Sequence, residues 1–280
     1  TFHGEYHQSC GLSSTRQPLS RAPSQHLHRH ANKETMVSAF AATSPHHTSR
    51  IMSSGPLHRP KLPGIPGVDL FEGHTFHTSR WDYEYTDGDP DGGLKGLKGK
   101  RIGIIGTGAT AIQCVPHVGA AADHLYVFQR TPSSVDVRDN TPTDADWAAS
   151  LEPGWHRDRM ENFNTLLSGG FADKDLVMDG WTSIVGKFME IARKQGSDFS
   201  PAGVGKTMEL ADFTKMNEIR ARVDEVVADV DTAEALKPWY RQFCKRPCFH
   251  DDYLGTFNRS NVQLVDTDGK GVDEITAKGI

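Results

Sequence analysis

The sequence predicts an α/β fold, a Rossmann-like NADP-binding domain of parallel strands broken by a long helical insertion. Three observations carry this reading. The apolar run Ile102–Ile105 opens directly into Gly106-Thr107-Gly108-Ala109-Thr110-Ala111. A second apolar run, Leu125-Tyr-Val-Phe128, follows where a βαβ unit needs it. A third, Val262-Gln-Leu-Val265, returns far down the chain, beyond residues with helical periodicity. Apolar runs of this length suit strands buried on both faces of a parallel sheet.

The glycine turn is the most specific of the three. It reads G-x-G-x-x-A, and each small residue has a mechanical job. Gly106 permits the tight turn, Gly108 lets the backbone approach a pyrophosphate, and Ala111 lets the helix pack close to the strand. The helix start offers unpaired N–H groups and a positive dipole end to phosphates. Glycine-rich turns are common, but here a strand precedes the turn and an apolar helix start (Ala111, Ile112, Val115) follows it. The candidate cofactor-binding residues of this stretch are Gly106, Thr107, Gly108, Ala109, Thr110, Ala111 and Gln113.

The end of the second strand selects the cofactor. An Asp or Glu there accepts from the ribose 2′-hydroxyl of NAD, whereas an Arg accommodates the 2′-phosphate of NADP. This chain has Gln129-Arg130-Thr131-Pro132 and no acid. A guanidinium matches phosphate geometry with two parallel bonds, and Thr131 adds a hydroxyl. The expected ligand is therefore NADP(H), with Arg130 and Thr131 as contacts.

Composition excludes several classes. A formal net charge of −5 over 280 residues gives no electrostatic case for nucleic acid. No apolar run approaches bilayer length, and no signal-peptide pattern opens the chain. Four cysteines are too few and too scattered for a disulfide framework. A soluble, reducing, cytoplasmic setting is the expectation.

Residues 1–50 differ from the remainder. They hold seven of the fourteen histidines amid Ser, Thr, Arg and Gln, with no sustained period. Such a composition buries too little apolar surface to offset chain entropy, and reads as a disordered or non-native leader. Alternating His26, His28 and His30 could bind a metal, but such a tail seldom closes a site. Arg59-Pro-Lys-Leu-Pro-Gly-Ile-Pro-Gly67 then packs three prolines and two glycines into a stiff extended connector. Asp87–Gly99 is a turn-rich linker.

Between them lies Phe71-x-Gly73-x-x-x-His77-x-x-x-Trp81-Asp82. It fits F-x-G-x-x-x-H-x-x-x-W-[PD] at every fixed position. On this fingerprint the chain resembles the Baeyer–Villiger monooxygenases, flavin enzymes that insert one oxygen atom beside a ketone carbonyl. Gln129-Arg130-Thr131-Pro132 and Lys245-Arg246-Pro247 resemble further motifs of that family. The resemblance runs from Ile51 to Ile280. It implies that residues 51–98 link an FAD domain to the NADP domain, with His77 a structural or conformational residue, not a base. From the residues alone, Phe71, His77 and Trp81 could equally be an aromatic cluster holding a linker against the core.

From Thr143 to Ala235 the pattern is helical. Thr143-Asp-Ala-Asp-Trp147 looks like a capped start. Trp181–Lys194 carries Ile184, Phe188, Met189 and Ile191 at near-helical spacing, and Met208–Val227 is similar with charged faces. These stripes read as core. The expected organisation is a first part of the NADP domain at 99–142, a helical insertion at 143–238 and a return at 239–280.

In the return, Cys244, Cys248 and His250 suggest zinc only weakly, since structural zinc wants four ligands at tighter paired spacing. Lys245-Arg246 could be a basic pair on a surface loop. The resemblance implies more: Arg246 is the catalytic residue, standing over the flavin ring, and Lys245 reaches the 2′-phosphate beside Arg130. A fixed cation suits an anion that must persist before attacking a ketone, and arginine stays protonated. Asp266–Gly271 reads as a turn, and Ile275–Gly279 as the start of a hairpin return.

The resemblance thus implies NADP(H) and FAD as cofactors and a ketone and O2 as partners. No G-x-G-x-x-G for FAD precedes Ile51, and neither the family's N-terminal acidic residue nor its C-terminal part has a counterpart here. The expectation is a fragment that binds FAD poorly and does not turn over. A related flavin-containing N- or S-oxygenase, or a non-catalytic NADP-binding module, are the alternatives. Trp81-Asp82 and the Lys245-Arg246-Pro247 run favour the Baeyer–Villiger reading over the first. A plain dehydrogenase is weaker, because no Tyr-x-x-x-Lys set occurs.

Overall fold

The computed structural model describes residues 63–280, except 171, 197 and 199. Readings on residues 1–62, among them the histidine-rich leader, His26, His28, His30 and the start of the proline-rich connector, lie outside the described residues.

Three strands make a parallel sheet: β1 (Arg101–Ile105), β2 (His124–Gln129) and β5 (Val262–Asp266), in the order β1-β2-β5. The register sets apolar residues side by side. Ile102 pairs with Leu125 and Ile104 with Val127, then Leu125 with Val262 and Val127 with Leu264. Parallel neighbours need a crossover connection. Helix α2 (Ala109–Ala121) supplies the first, and everything between β2 and β5 supplies the second.

Helix α2 buries Ala111, Ile112, Val115, Val118 and Gly119. Gly119 is where it comes closest to its neighbours. A Cβ there would lie 3.0 Å from Val262 Cγ2 and 3.1 Å from Thr256 Cγ2. The last carbonyls of α2 are satisfied from the return segment. Arg259 Nε and Asn261 Nδ2 donate to Gly119 O at 3.1 and 2.9 Å, and Asn261 also donates to Ala122 O at 2.9 Å. These bonds fix the helix on the sheet. The core draws on Leu97, Ile112, Val115, Leu125, Val127, Val223, Leu236 and Leu254.

The second crossover begins with β3 (Val135–Asp136) and continues through α3 (Ala145–Ala149), α4 (Trp155–Leu167), α5 (Ser183–Gln195), α6 (Pro201–Val226) and α7 (Val230–Leu236). It ends with β4 (Cys248–Phe249) and α8 (Tyr253–Thr256). The short strands β3 and β4 pair in parallel, Val135 with Cys248 and Asp136 with Phe249. Asp144 caps α3, its Oδ1 accepting from Trp147 N at 2.7 Å.

Two expectations for the helices need correction. Helix α6 starts at Pro201, well ahead of Met208. Ser200 Oγ accepts from Gly203 N at 3.1 Å and proline takes the first helical position, a start signal that Gly203 and Gly205 obscure in the sequence. Its charges also do not all face water. Asp212, Lys215 and Arg220 are 7%, 7% and 4% exposed. In α5, Ile184 is buried as expected, whereas Met189 is exposed.

The expected hairpin at Ile275–Gly279 is also corrected. Thr276 and Gly279 form only an isolated bridge. The segment pairs with the linker instead, through Ile275 N to Pro66 O at 2.8 Å and Glu72 N to Ala277 O at 3.0 Å. Gly67 makes this possible. Its φ is 77°, and a Cβ there would sit 1.9 Å from Ile275 O. No helix among the described residues is long and apolar enough to cross a membrane.

Candidate functional site

At the carboxyl end of β1 the chain turns at Gly106, with φ 105° and its N–H donating to Phe128 O at 2.9 Å. Gly108 is the N-cap of α2, and no side chain caps that end. A Cβ at Gly108 would meet nothing within 4 Å, so the space over the helix start is open. The first-turn N–H groups of α2 therefore face a cradle that an anion can enter. Ala111 is buried, and Thr110 is exposed. Gln113 Nε2 donates to Ala109 O at 3.0 Å.

Thr107 is turned inward. Its hydroxyl donates to Thr131 O at 2.8 Å, and Ser133 Oγ donates to Thr107 O at 2.6 Å. These two bonds lace the glycine turn to the loop leaving β2. Gln129, fully buried at the end of β2, anchors that loop from below. Its Nε2 donates to Ala235 O at 2.7 Å, and its carbonyl accepts from Thr267 N and Oγ1 at 2.9 and 2.8 Å. Arg130 follows and is exposed. The turn after β5 runs beside it: a Cβ at Gly271 would lie 3.7 Å from Arg130 Cδ.

The β3–β4 pairing brings a distant segment to the same place. Cys248 N donates to Ser134 O at 3.0 Å, so the residues preceding Cys248 lie along the loop after β2. The Lys245 ammonium stands 5.1 Å from the Tyr240 ring centroid. Burial, and then the Arg130 guanidinium, hold the Lys245 pKa below the ordinary lysine value. The Lys245 and Arg130 charges thus influence each other across the loop that leaves β2. Tyr240 links the two segments. Its hydroxyl donates to Pro132 O and accepts from Ser134 N, both at 2.9 Å, and burial pushes its pKa up to about 12.

Arg246 is exposed. Its backbone carbonyl accepts from Cys248 Sγ at 3.5 Å. Burial pushes the Cys248 thiol up, and the Arg246 charge works against that. Among the described residues, no three His, Cys, Asp or Glu side chains gather as metal ligands.

The fingerprint has its own mechanics. The Phe71 ring folds over Gly73, where a Cβ would come within 2.4 Å of Phe71 Cζ, so a larger residue would have to displace that ring. His77 Nδ1 accepts from Ser79 N at 3.1 Å and starts a short turn at Thr78–Arg80. Trp81 packs against the core, and its Nε1 donates to Thr86 Oγ1 at 3.1 Å. Asp82 caps α1 (Tyr83–Thr86) through Oδ1, which accepts from Tyr85 N at 2.8 Å and keeps the carboxyl below its usual range. The aromatic contacts differ from the alternative reading, a cluster of Phe71, His77 and Trp81. Phe76 meets Trp81 edge-on at 5.2 Å, and His74 stacks on Tyr85 at 3.8 Å while bonding Asp82 at 2.8 Å.

No protein-family model matches the chain. The chain is 61% identical over 229 residues to neopentalenolactone D synthase of Streptomyces avermitilis, covering 82% of this chain and 39% of that protein. It is 54% identical over 237 residues to Baeyer–Villiger monooxygenase ATR8 of Stachybotrys chlorohalonatus, covering 82% and 37%. By sequence, this stretch is a relative of the Baeyer–Villiger monooxygenases. Among solved structures, the polycyclic ketone monooxygenase of Thermothelomyces thermophila matches with a TM-score of 0.69 and 44% identity, over 79% of this chain and 36% of that one. OTEMO in complex with FAD and NADP matches with a TM-score of 0.56 and 29% identity, over 81% of this chain and 43% of that one. The chain spans about two fifths of the length of the curated relatives it matches.

The family resemblance read from Phe71, Gly73, His77, Trp81 and Asp82 is therefore borne out. Sequence reasoning missed Tyr240, Ser133 and the Thr267–Gly271 turn beside Arg130. Tyr240 is separated by 108 positions from the carbonyl it bonds, so no local spacing could have signalled it.

Proposed function

We propose that the described residues form the NADP(H)-binding part of a flavin-dependent Baeyer–Villiger monooxygenase, with part of the linker to its FAD domain. In this reading residues 99–142 and 239–280 are the two parts of a Rossmann-like domain, and 143–238 is its helical insertion. The observation that carries it is the open, uncapped turn at Gly108, laced through Thr107 and Ser133 to the loop that carries Arg130. Burial, and then the Arg130 guanidinium, disfavours the Lys245 charge, and a bound anion would relieve it. Gly106 to Ala111 would cradle the pyrophosphate, with Thr107 and Ser133 setting the cradle against the loop. Arg130, Thr131 and Lys245 would hold the 2′-phosphate.

When bound, NADPH supplies reducing equivalents to FAD, which with O2 delivers one oxygen atom to a ketone and yields an ester or lactone. Arg246 is the cation this chain offers near that chemistry. Arginine keeps its charge at any working pH and so can hold an anion through the reaction. His77, bonded to Ser79 and exposed, is read as a conformational residue of the linker. The trailing Trp81-Asp82 and the Lys245-Arg246-Pro247 run favour this over an N- or S-oxygenase.

The test is a titration of the 280-residue chain with NADP and with NAD. NADP should bind more tightly. Arg130→Ala should weaken NADP by about 10- to 100-fold, the scale of hydrogen bonds to a charged group, and leave NAD unchanged. Equal affinity for the two dinucleotides in the unaltered chain would overturn the reading.

A further inference from the structure

We propose that Tyr240 is a positioning residue for the 2′-phosphate site: its hydroxyl pins the loop carrying Arg130 and Thr131, while its ring face seats Lys245. This rests on the NADP reading above and goes beyond it in assigning the tie between the two cations.

The loop after β2 has no ladder partner from Arg130 until β3 begins. Tyr240 bonds its backbone twice, donating to Pro132 O and accepting from Ser134 N, each at 2.9 Å. One phenol therefore uses both its donor and an acceptor site on residues two apart in the loop. It is nearly buried, at 9% exposure, and its raised pKa keeps the proton it donates. The opposite end of the contact is Lys245, whose ammonium lies 5.1 Å from the ring centroid, within cation–π range.

Arg130 and Lys245 carry like charges, and burial first, then the Arg130 guanidinium, lowers the Lys245 pKa. Something must hold them together before the anion arrives. Thr107 and Ser133 tie the loop to the glycine turn, so they fix Arg130 but not Lys245. The bond from Cys248 N to Ser134 O joins the two backbones farther on, beyond the lysine. Tyr240 alone among these contacts touches the loop with one atom and the ammonium with its ring. Being rigid, with few rotatable bonds, it sets a spacing instead of merely filling volume.

Tyr240→Phe removes the hydroxyl and keeps the ring, with β3–β4 pairing intact. NADP affinity of the 280-residue chain should fall about tenfold, the scale of one misaligned charge-assisted bond, with NAD affinity unchanged. Tyr240→Leu, which also loses the ring, should fall further. On an Arg130→Ala background Tyr240→Phe should cost NADP much less, because the two act on one phosphate. Thermal melts without dinucleotide serve as the folding control. A Tyr240→Phe chain that no longer melts cooperatively, or that loses NADP and NAD affinity equally, overturns a positioning role in favour of a structural one. An NADP preference undiminished in that variant overturns it too and leaves the NADP reading standing. No NADP preference in the unaltered chain overturns both.

Discussion

The β1–α2–β2 unit and helix α6 are held by different forces. In the first, Val115, Leu125 and Val127 are 0% exposed, and strand register lines apolar residues up across the sheet. In the second, charge is buried and put to work. Lys215 pairs with Asp136, and Arg220 donates to Pro238 O at 2.9 Å beneath Trp239. Arg222 donates to Val135 O at 2.9 Å and to His250 O at 3.0 Å, bracing β3 and the residue after β4. Asp212, its pKa raised by burial, accepts from Gln242 N at 2.9 Å. Apolar periodicity reports the first kind of packing and is blind to the second. A charged face that satisfies buried backbone groups looks in sequence like a face turned to water.

The comparison can be broken most sharply in the sheet. Leu125→Ala should cost about 4 kcal/mol by urea unfolding, since a fully buried leucine leaves a cavity that the sheet cannot close. No second deletion should restore it. Next comes Lys215→Leu, expected to cost about 3 kcal/mol because it strands the Asp136 carboxylate. Adding Asp136→Leu should recover much of that loss, as removing both partners of a buried pair often does. If the double variant is as unstable as the single, the pair is not what holds α6 to β3.

The smallest effect concerns pH. Lys245 has a depressed pKa, and a bound 2′-phosphate favours its charged form, so binding raises that pKa. NADP affinity is then full below the depressed value and falls as pH rises through the window up to the bound value. The fall is at most about tenfold per pH unit for one coupled proton. NAD affinity should stay flat there, and Lys245→Met should remove the slope from the NADP titrations.

Much of the candidate site was legible because the features that suggest it are local. Gly106, Gly108 and Ala111 announce a turn whose geometry depends on neighbours a few residues away. Arg130 is found by counting to the end of the next strand. Gly73 is explained by Phe71, two residues back. The inward turn of Thr107, the clamp of Tyr240 and the stacking of His74 on Tyr85 left no comparable mark. Each depends on where a distant or flexible segment comes to rest, and side-chain identity alone does not say that.

By itself the sequence determined the three apolar strands, the turn between β1 and α2 and the family fingerprint, because short-range backbone sterics and apolar spacing specify them. Tertiary structure decided which charges of α6 go inside, that residues 275–277 pair with the linker at 66–72, and that Tyr240 bonds the loop after β2. Those outcomes follow from hydrogen-bond and charge satisfaction between segments far apart in the chain, which only the closed fold brings within bonding distance.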